Sequence, residues 1–307
     1  MLPVPQTSEP RSSADLADEA HTIAAFMRGY SLEATRPTSA DLAALRDVTP
    51  AGTRVYLSAV PVRPNEELVE TAAAVRAVGF EPVPHLAARG FAARDALDRL
   101  LAQLASSAGI RQALVVGGDH ARPLGPYGAA IDVIESGLLT QHGIAAYPGG
   151  HPRISDYELA RIVAAKVEAA EATGLGVHIV TQFGFESGAI HDWLERLRGD
   201  GIDCPVKIGM AGPTSATALL RYARRCGVAA SAQGLARHVG LAKHVFSRAA
   251  PDQLIRTIAA ACGGTALGRV APHFYSFGGL GATARWSAAV AAGRIELDRD
   301  DGFAVTP

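Results

Sequence analysis

Three side chains in this sequence stand where chemistry is expected. Glu33 follows the apolar start of a run at Gly29–Thr35, Asp119 follows Gln112–Val116 through Gly117-Gly118, and Gln182 ends the β-branched run Val177–Thr181. A carboxyl group at an apolar strand end keeps its proton to higher pH. Burial is therefore expected to raise the pKa of Glu33 and Asp119, so that each can hold or donate a proton near neutrality. Gln182 is flanked by Phe183 and Phe185. An amide can bond the edge of a flat heteroaromatic molecule while Phe183 or Phe185 covers its face.

The other chemical signals are weaker. His85, His151 and His273 lie far apart, with no ligand-pair spacing and no accompanying acid, and they read as loop or core histidines and not as a metal centre. The pairs Gly117-Gly118 and Gly149-Gly150 let a phosphate approach the backbone, and they also serve ordinary tight turns. No Gly-x-Ser-x-Gly nucleophile motif occurs. Lys207 lies inside a strand run, so an imine-forming lyase is a third reading that lacks a partner residue.

These residues need elements to hold them. Eight short apolar runs alternate with longer Ala/Leu/Arg stretches. The predicted strands are 29–35, 54–60, 80–86, 112–116, 143–147, 177–183, 205–210 and 270–275. The predicted helices are 66–78, 93–106, 128–137, 155–173, 190–198, 215–225, a long pair over 230–262, and 281–292. Apolar strands without alternation, each followed by a helix, mean a parallel sheet covered by helices. Eight such units predict an α/β fold, a single (β/α)8 TIM barrel. A doubly wound sheet is second, because no Gly-rich turn opens the first helix. Residues 1–20 are expected to form a flexible N-terminal segment, with the catalytic barrel over 21–307. In a barrel, the ends of the strands carry the active site. That places Ser58, His85, Tyr147 and Tyr275 beside Glu33, Asp119 and Gln182.

Composition bounds the partners. A net charge of -1 gives no electrostatic case for nucleic acid or an anionic membrane. No run is long and apolar enough to span a bilayer. The polar, acidic stretch Met1 to Glu19 lacks the basic and apolar regions of a signal peptide. Cys204, Cys226 and Cys262 form no disulfide framework and predict a reducing, cytoplasmic setting, with Cys204 a buried inert thiol at a strand start.

The order of short motifs resembles the catalytic domain of methylenetetrahydrofolate reductases, flavin-dependent (β/α)8 barrels, from about Tyr30 to Tyr275. Ala145-Ala146-Tyr147-Pro148-Gly149-Gly150-His151-Pro152 is similar to that family's A-[AG]-Y-P-x-x-H-P. Ile179-Val180-Thr181-Gln182-Phe183-Gly184-Phe185 is similar to I-T-Q-x-x-F, Pro84-His85-Leu86 to P-H-L, and His273-Phe274-Tyr275 to H-F-Y. Ser31-Leu32-Glu33-Ala34-Thr35-Arg36-Pro37 looks like a degenerate S-F-E-F-F-P-P.

The resemblance implies that Glu33 is the general acid that protonates folate N10. It implies that Asp119 modulates folate binding and flavin reactivity, and that Gln182, with Phe183 and Tyr275, holds the pterin. Ser58, His85, Gly118, Asp119, Arg122, Tyr147 and His151 would line the FAD. Hydride would pass through FAD between 5,10-methylenetetrahydrofolate and 5-methyltetrahydrofolate, with NAD(P)H as electron donor. The chain departs from the pattern on the flavin side. Gly117 replaces the arginine of R-G-D, with Arg122 as its substitute, and Ala129, Gln141, Ser155 and Gly279 replace other contact residues. These losses motivate a second reading, a tetrahydrofolate-binding barrel in one-carbon transfer without flavin redox chemistry. Reaction direction, NADH against NADPH or another redox partner, flavin affinity and homo-oligomer formation are left open by the sequence.

Overall fold

The eight apolar runs become eight parallel strands: β1 (Ser31–Ala34), β2 (Arg54–Leu57), β3 (Glu81–Ala87), β4 (Gln112–Val116), β5 (Gln141–Ala146), β6 (Gly176–Thr181), β7 (Val206–Ala211) and β8 (Val270–Tyr275). They close in chain order, β8 pairing back onto β1 with Ser31 opposite His273 and Glu33 opposite Tyr275. The structure is a computed structural model and describes residues 12–59, 64–136, 141–228, 250–264, 266–298 and 301–306. The TIM barrel expected from the eight-fold alternation is therefore the fold observed.

Helices cover the strands: α1 (Ser13–Met27), α2 (Ser39–Val48), α3 (Asn65–Ala77), α4 (Arg94–Ala108), α5 (Ala130–Ile134), α6 (Asp156–Ala172), α7 (Ser187–Gly199), α8 (Ala216–Arg225), α9 (Asp252–Cys262) and α10 (Leu280–Ala291). Their apolar stripes bury Leu45, Val75, Leu104, Leu194 and Ile255 against the outward side chains Leu32, Val55, Val115, Ile144 and Phe274 of the strands. Gly79 and Gly174 hold positive φ where α3 and α6 turn into the next strand, as their sequence positions predict.

Three features differ from the sequence reading. Residues 13–20, expected in the loose N-terminal segment, belong to α1. There the Ser12 side chain accepts from the Asp15 amide and the Asp15 carboxylate accepts from the Ser12 amide. Helix α2 is absent from the sequence reading, although Thr38 and Asp41 form the same reciprocal cap. Past α10, β9 (Ile295–Leu297) and β10 (Phe303–Val305) form an antiparallel hairpin that the strand pattern does not reveal. Its Phe303 ring stacks on Trp286, and its Gly302 carbonyl accepts from the buried Arg256 guanidinium, which also grips Glu19 of α1. Of the helix pair expected over 230–262, residues 229–249 lie outside the described residues. Among the described residues, no helix is long and apolar enough to cross a membrane.

Two histidines of the barrel wall, His142 buried and His178 half-buried, are kept neutral. Burial pushes His142 down to about 4 and His178 down to about 3, from an ordinary value of 6.5. His178 Nε2 lies 2.7 Å from the Tyr56 hydroxyl, and neither ring nitrogen of His142 has a partner among the described residues. The unfolded chain binds protons at both below pH 6.5, and the folded chain does not. Stability should therefore fall as pH drops from about 6.5 towards 4, by up to about 1.4 kcal/mol per pH unit for each histidine. Urea unfolding midpoints measured across that range should show this slope, and His142→Leu should reduce proton uptake on unfolding by about one proton.

Candidate active site

Strand parity decides which side chains meet inside the barrel mouth. Leu32 and Phe274 face the helices, so their neighbours Ser31, Glu33, His273 and Tyr275 face the axis. Tyr56, Val83, Leu114 and Val180 fill the layer beneath. Glu33, expected at a strand end, stands directly above that layer.

The Glu33 carboxylate is enclosed by donors. Its Oε1 accepts from Ser58 Oγ at 2.7 Å. Its Oε2 lies 3.3 Å from His273 Nε2 and 3.6 Å from His85 Nε2. His273 Nδ1 lies 3.0 Å from Ser31 Oγ. One tautomer satisfies all of this: a neutral His273 that donates from Nε2 to Glu33 and accepts the Ser31 hydroxyl at Nδ1. Burial alone would push the Glu33 carboxyl up. The adjacent His85, the hydrogen bond and charge of His273, and the Ser58 hydroxyl outweigh it and hold the group below the usual carboxylate range. Burial pushes His85 and His273 down, and the opposing pull of Glu33 does not reverse that. The site at rest is thus an ionised carboxylate beside two imidazoles whose charging burial disfavours and Glu33 favours. The expectation that burial would raise Glu33 is corrected, because its two donors, Ser58 and His273, and the adjacent His85 were not visible as neighbours in the sequence.

Asp119 does not share this enclosure. Gly118 takes φ +88°, a Cβ there would come within 3.0 Å of Ala87 Cβ, and the turn carries Asp119 out to an exposed position. The expectation of a buried acid is corrected for this residue. Its charge still reaches inward, since burial and then Asp119 raise the Tyr147 phenol. Arg122 is exposed further along the same loop.

Gln182 faces a cleft of about 110 Å³ whose walls include Tyr147, Gly150, His151, Phe185 and Cys226. Its Oε1 accepts from the Phe183 amide at 3.1 Å, which leaves the carboxamide NH2 available to a ligand. The Tyr147 ring meets the His151 ring edge-on at 5.2 Å, and His151 Nδ1 accepts from the Arg153 amide. Phe183 lines the same cleft, with most of its ring packed on Phe185, Tyr275 and Phe277 at 5.8, 5.5 and 5.0 Å. It is nearly inaccessible and so also supports Gln182. Tyr275 likewise spends its hydroxyl on the Thr181 carbonyl at 3.1 Å, leaving its ring face to the site.

Sequence reasoning missed the role of His273 and of Ser31. Their signal was the i, i+2 spacing with Tyr275 and Glu33, which puts each pair on one face of a strand. Helix α8, expected over 215–225, is present, and its place at the site was not read from the sequence. This helix buries Leu219 and Ala223 against Phe183, Phe185 and Ala211, which are mouth residues, so α8 lies over the strand ends. The chain just beyond it, Cys226 to Val228, forms one wall of the cleft, and Gly227 packs close to Pro152 of the loop after β5. Lys207 is at the other end of the barrel, donating to the Gly29 carbonyl before β1 at 3.3 Å. An imine-forming lysine has no access to this mouth from there.

Residues 42–238 match the family model for methylenetetrahydrofolate reductase, well over half of the chain. The chain belongs to the methylenetetrahydrofolate reductase family. The matched span contains His85, Asp119, Tyr147 and Gln182; Glu33 and His273 lie outside it. Among solved structures, the chain is similar to one described as an uncharacterized protein from Clostridium thermocellum that binds two copies of 5-methyl-5,6,7,8-tetrahydrofolic acid. Identity is 12%, the match covers 85% of this chain and 92% of that one, and the TM-score is 0.54. This likeness is one of fold.

Methylenetetrahydrofolate reductases generally carry FAD, whose diphosphate needs cations or converging amides. Among the described residues of this mouth, Arg89 is already engaged. Arg89 donates to the carbonyls of Gly128 and His120, pinning the loop after β4, where Gly125 packs tightly on the Ala92 carbonyl. Arg122, expected to replace the lost arginine, makes none of the described hydrogen bonds or ion pairs.

The position of Gln182 depends on a close approach of β6 and β7. The Gly209 amide donates to Thr181 Oγ1 at 2.8 Å, and a Cβ on Gly209 would sit 2.3 Å from the Thr181 carbonyl oxygen. Gly209→Ala is expected to destabilise the protein by about 2 kcal/mol through forced separation of these strands, measured by urea unfolding.

Proposed function

We propose that this chain interconverts 5,10-methylenetetrahydrofolate and 5-methyltetrahydrofolate, with Glu33 as the group that exchanges the N10 proton. Membership of the reductase family supplies the reaction class. The observation that carries the residue assignment is the Glu33 carboxylate held by Ser58, His85 and His273 beside the free amide of Gln182. One catalytic barrel over residues 21–307 would suffice for this chemistry.

In the oxidative direction, the 5-methyl group gives up a hydride and becomes an N5 iminium. N10 attacks that carbon, its N–H bond breaks, and the proton passes to Glu33. An ionised Glu33 is the form needed to accept it. In the reductive direction Glu33 must first take a proton. A pterin seated on Gln182 excludes water and favours the neutral acid, which then protonates N10 and opens the five-membered ring. The hydride is exchanged with a reduced or oxidised cofactor of the flavin or nicotinamide class. The proposal assigns no residue to that cofactor. Asp119, at the rim, tunes the mouth through Tyr147 and takes no direct part in proton transfer.

A second reading is favoured by the replaced flavin-side residues Gly117, Ala129 and Gly279: a barrel that binds tetrahydrofolate and takes part in one-carbon transfer without redox chemistry. Two measurements separate the readings. Purified protein given 5-methyltetrahydrofolate with FAD, NAD or NADP should form the methylene product under the first reading and only a stable complex under the second. Glu33→Gln should lower turnover by about 10²- to 10⁴-fold and leave 5-methyltetrahydrofolate affinity within a few-fold. A fully active Glu33→Gln protein would remove Glu33 from its role.

A further inference from the structure

The loops that follow β7 and β8 pack directly on each other. The Gly212 amide donates to the Tyr275 carbonyl at 3.0 Å, so the strand pairing continues one residue past β7. A Cβ on Gly278 would collide with the Pro213 carbonyl oxygen and lie 3.0 Å from Thr214 Cα, so glycine is required there. The two loops, 212–215 and 276–279, thereby meet at the start of α10. That helix is preceded by Gly279 at φ +104°, which offers no side-chain cap, and its first turn holds no acidic residue. The amides of Leu280, Gly281 and Ala282 have no intrahelical acceptor and none elsewhere among the described residues.

Two buried hydroxyls face the same place. Thr214 is 2% exposed, and its Oγ1 has no hydrogen-bond partner among the described residues; the same holds for the buried Oγ of Ser276. Strand alternation sets their direction. Met210 of β7 points to the helices, and a Cβ on Gly212 would collide with the Thr283 side chain in the first turn of α10. Thr214 continues that row towards the end of the helix. Ser276 continues the outward row of Phe274, and its carbonyl accepts from the Gly279 amide at 3.0 Å, which sets it beside the cap. Arg285 reaches back along α10, its Nη1 3.5 Å from where a Gly281 Cβ would stand. It makes none of the described hydrogen bonds or ion pairs. A cation near a helix N-terminus opposes the helix dipole, and a buried hydroxyl without a partner costs stability. One compact oxyanion would relieve both.

We propose that the start of α10, with Thr214, Ser276 and Arg285, binds a phosphate dianion. The amides and hydroxyls donate to its oxygens, and the helix dipole and Arg285 offset its charge. The place fits the architecture, since (β/α)8 barrels frequently hold phosphate between the loops after strands 7 and 8 and a helix N-terminus. Gly279 is exposed, so the site opens to solvent. A carboxylate has fewer oxygens and less charge, and would satisfy fewer of these donors. The site uses neither Glu33 nor Gln182, so it stands whether or not the mouth binds folate. Free phosphate and the phosphate of a nucleotide share this chemistry.

Titration of the full chain with inorganic phosphate, followed by 1H–15N amide resonances, reads the site directly. The Leu280 and Gly281 amides should shift saturably with a Kd of about 1 mM or below, as two or three charge-assisted hydrogen bonds provide. Acetate at the same ionic strength should bind about tenfold more weakly. Thr214→Val keeps the side-chain shape and removes the hydroxyl, and should weaken phosphate binding about tenfold; Ser276→Ala should act likewise. Without phosphate, Thr214→Val should unfold at an equal or higher urea concentration, because it loses only an unpartnered polar group. A lower midpoint would give that hydroxyl a purely structural role and contradict its assignment. Absence of saturable shifts at Leu280 and Gly281 overturns the proposal, as does equal affinity for acetate or undiminished phosphate binding in both variants. FAD and NADP, each added to phosphate-saturated protein, distinguish the sources. Displacement of phosphate from these amides assigns the site to a nucleotide phosphate, and retention assigns it to the free ion; either result upholds the site.

Discussion

A carboxylate removed from water must be compensated by donors or it takes up a proton. Glu33 is compensated by hydrogen bonds from Ser58 and His273 and by the adjacent His85, each from a different strand end. β1 supplies the acid, β2 runs into Ser58, β3 carries His85 and β8 carries His273. The group is therefore in place only when the barrel is closed and β8 is paired with β1 in register, Ser31 opposite His273. Fold and chemistry share this constraint. A slip of one residue in β8 would turn His273 and Tyr275 out to the helices and leave Glu33 buried with fewer donors.

Around that centre, polar and apolar surfaces are laid out by strand parity. Gln182 turns its amide into the mouth, and the Phe183 ring packs into an aromatic cluster that braces this strand end and forms part of the cleft wall. The same cluster receives α8, which brings Tyr222 and the arginines to the rim. The mouth thereby acquires a direction, with acid and amide near the axis and positive charge outside.

Much of the fold was legible because it depends on local signals. Eight apolar runs bounded by Gly and Pro gave all eight strands within a few residues, and the parallel barrel followed from their lack of alternation. Helix α2 was not read, although Thr38-x-x-Asp41 spells its cap, and the β9–β10 hairpin carries too few residues to show a period. For the site, Glu33, Ser58, His85, Gln182 and Tyr147 were reached through strand ends and family motifs. The state of Glu33 was not. Burial is a property that sequence suggests, whereas the donors that reverse its effect come from residues 25, 52 and 240 positions away, brought close only by closure. Asp119 failed for a related reason: a left-handed Gly118 redirects the chain at the strand end, and a glycine pair in a sequence does not say which way it turns.

The central claim is that Glu33 rests as a carboxylate because its neighbours donate to it. Its titration can be followed directly, by carboxylate 13C resonances or by infrared difference spectra referenced to Glu33→Gln. The account predicts that Glu33 titrates below the ordinary glutamate range in the free protein, and that Ser58→Ala and His273→Phe each move it upward. A Glu33 that titrates above that range in the unaltered chain, or that is indifferent to both substitutions, would contradict it.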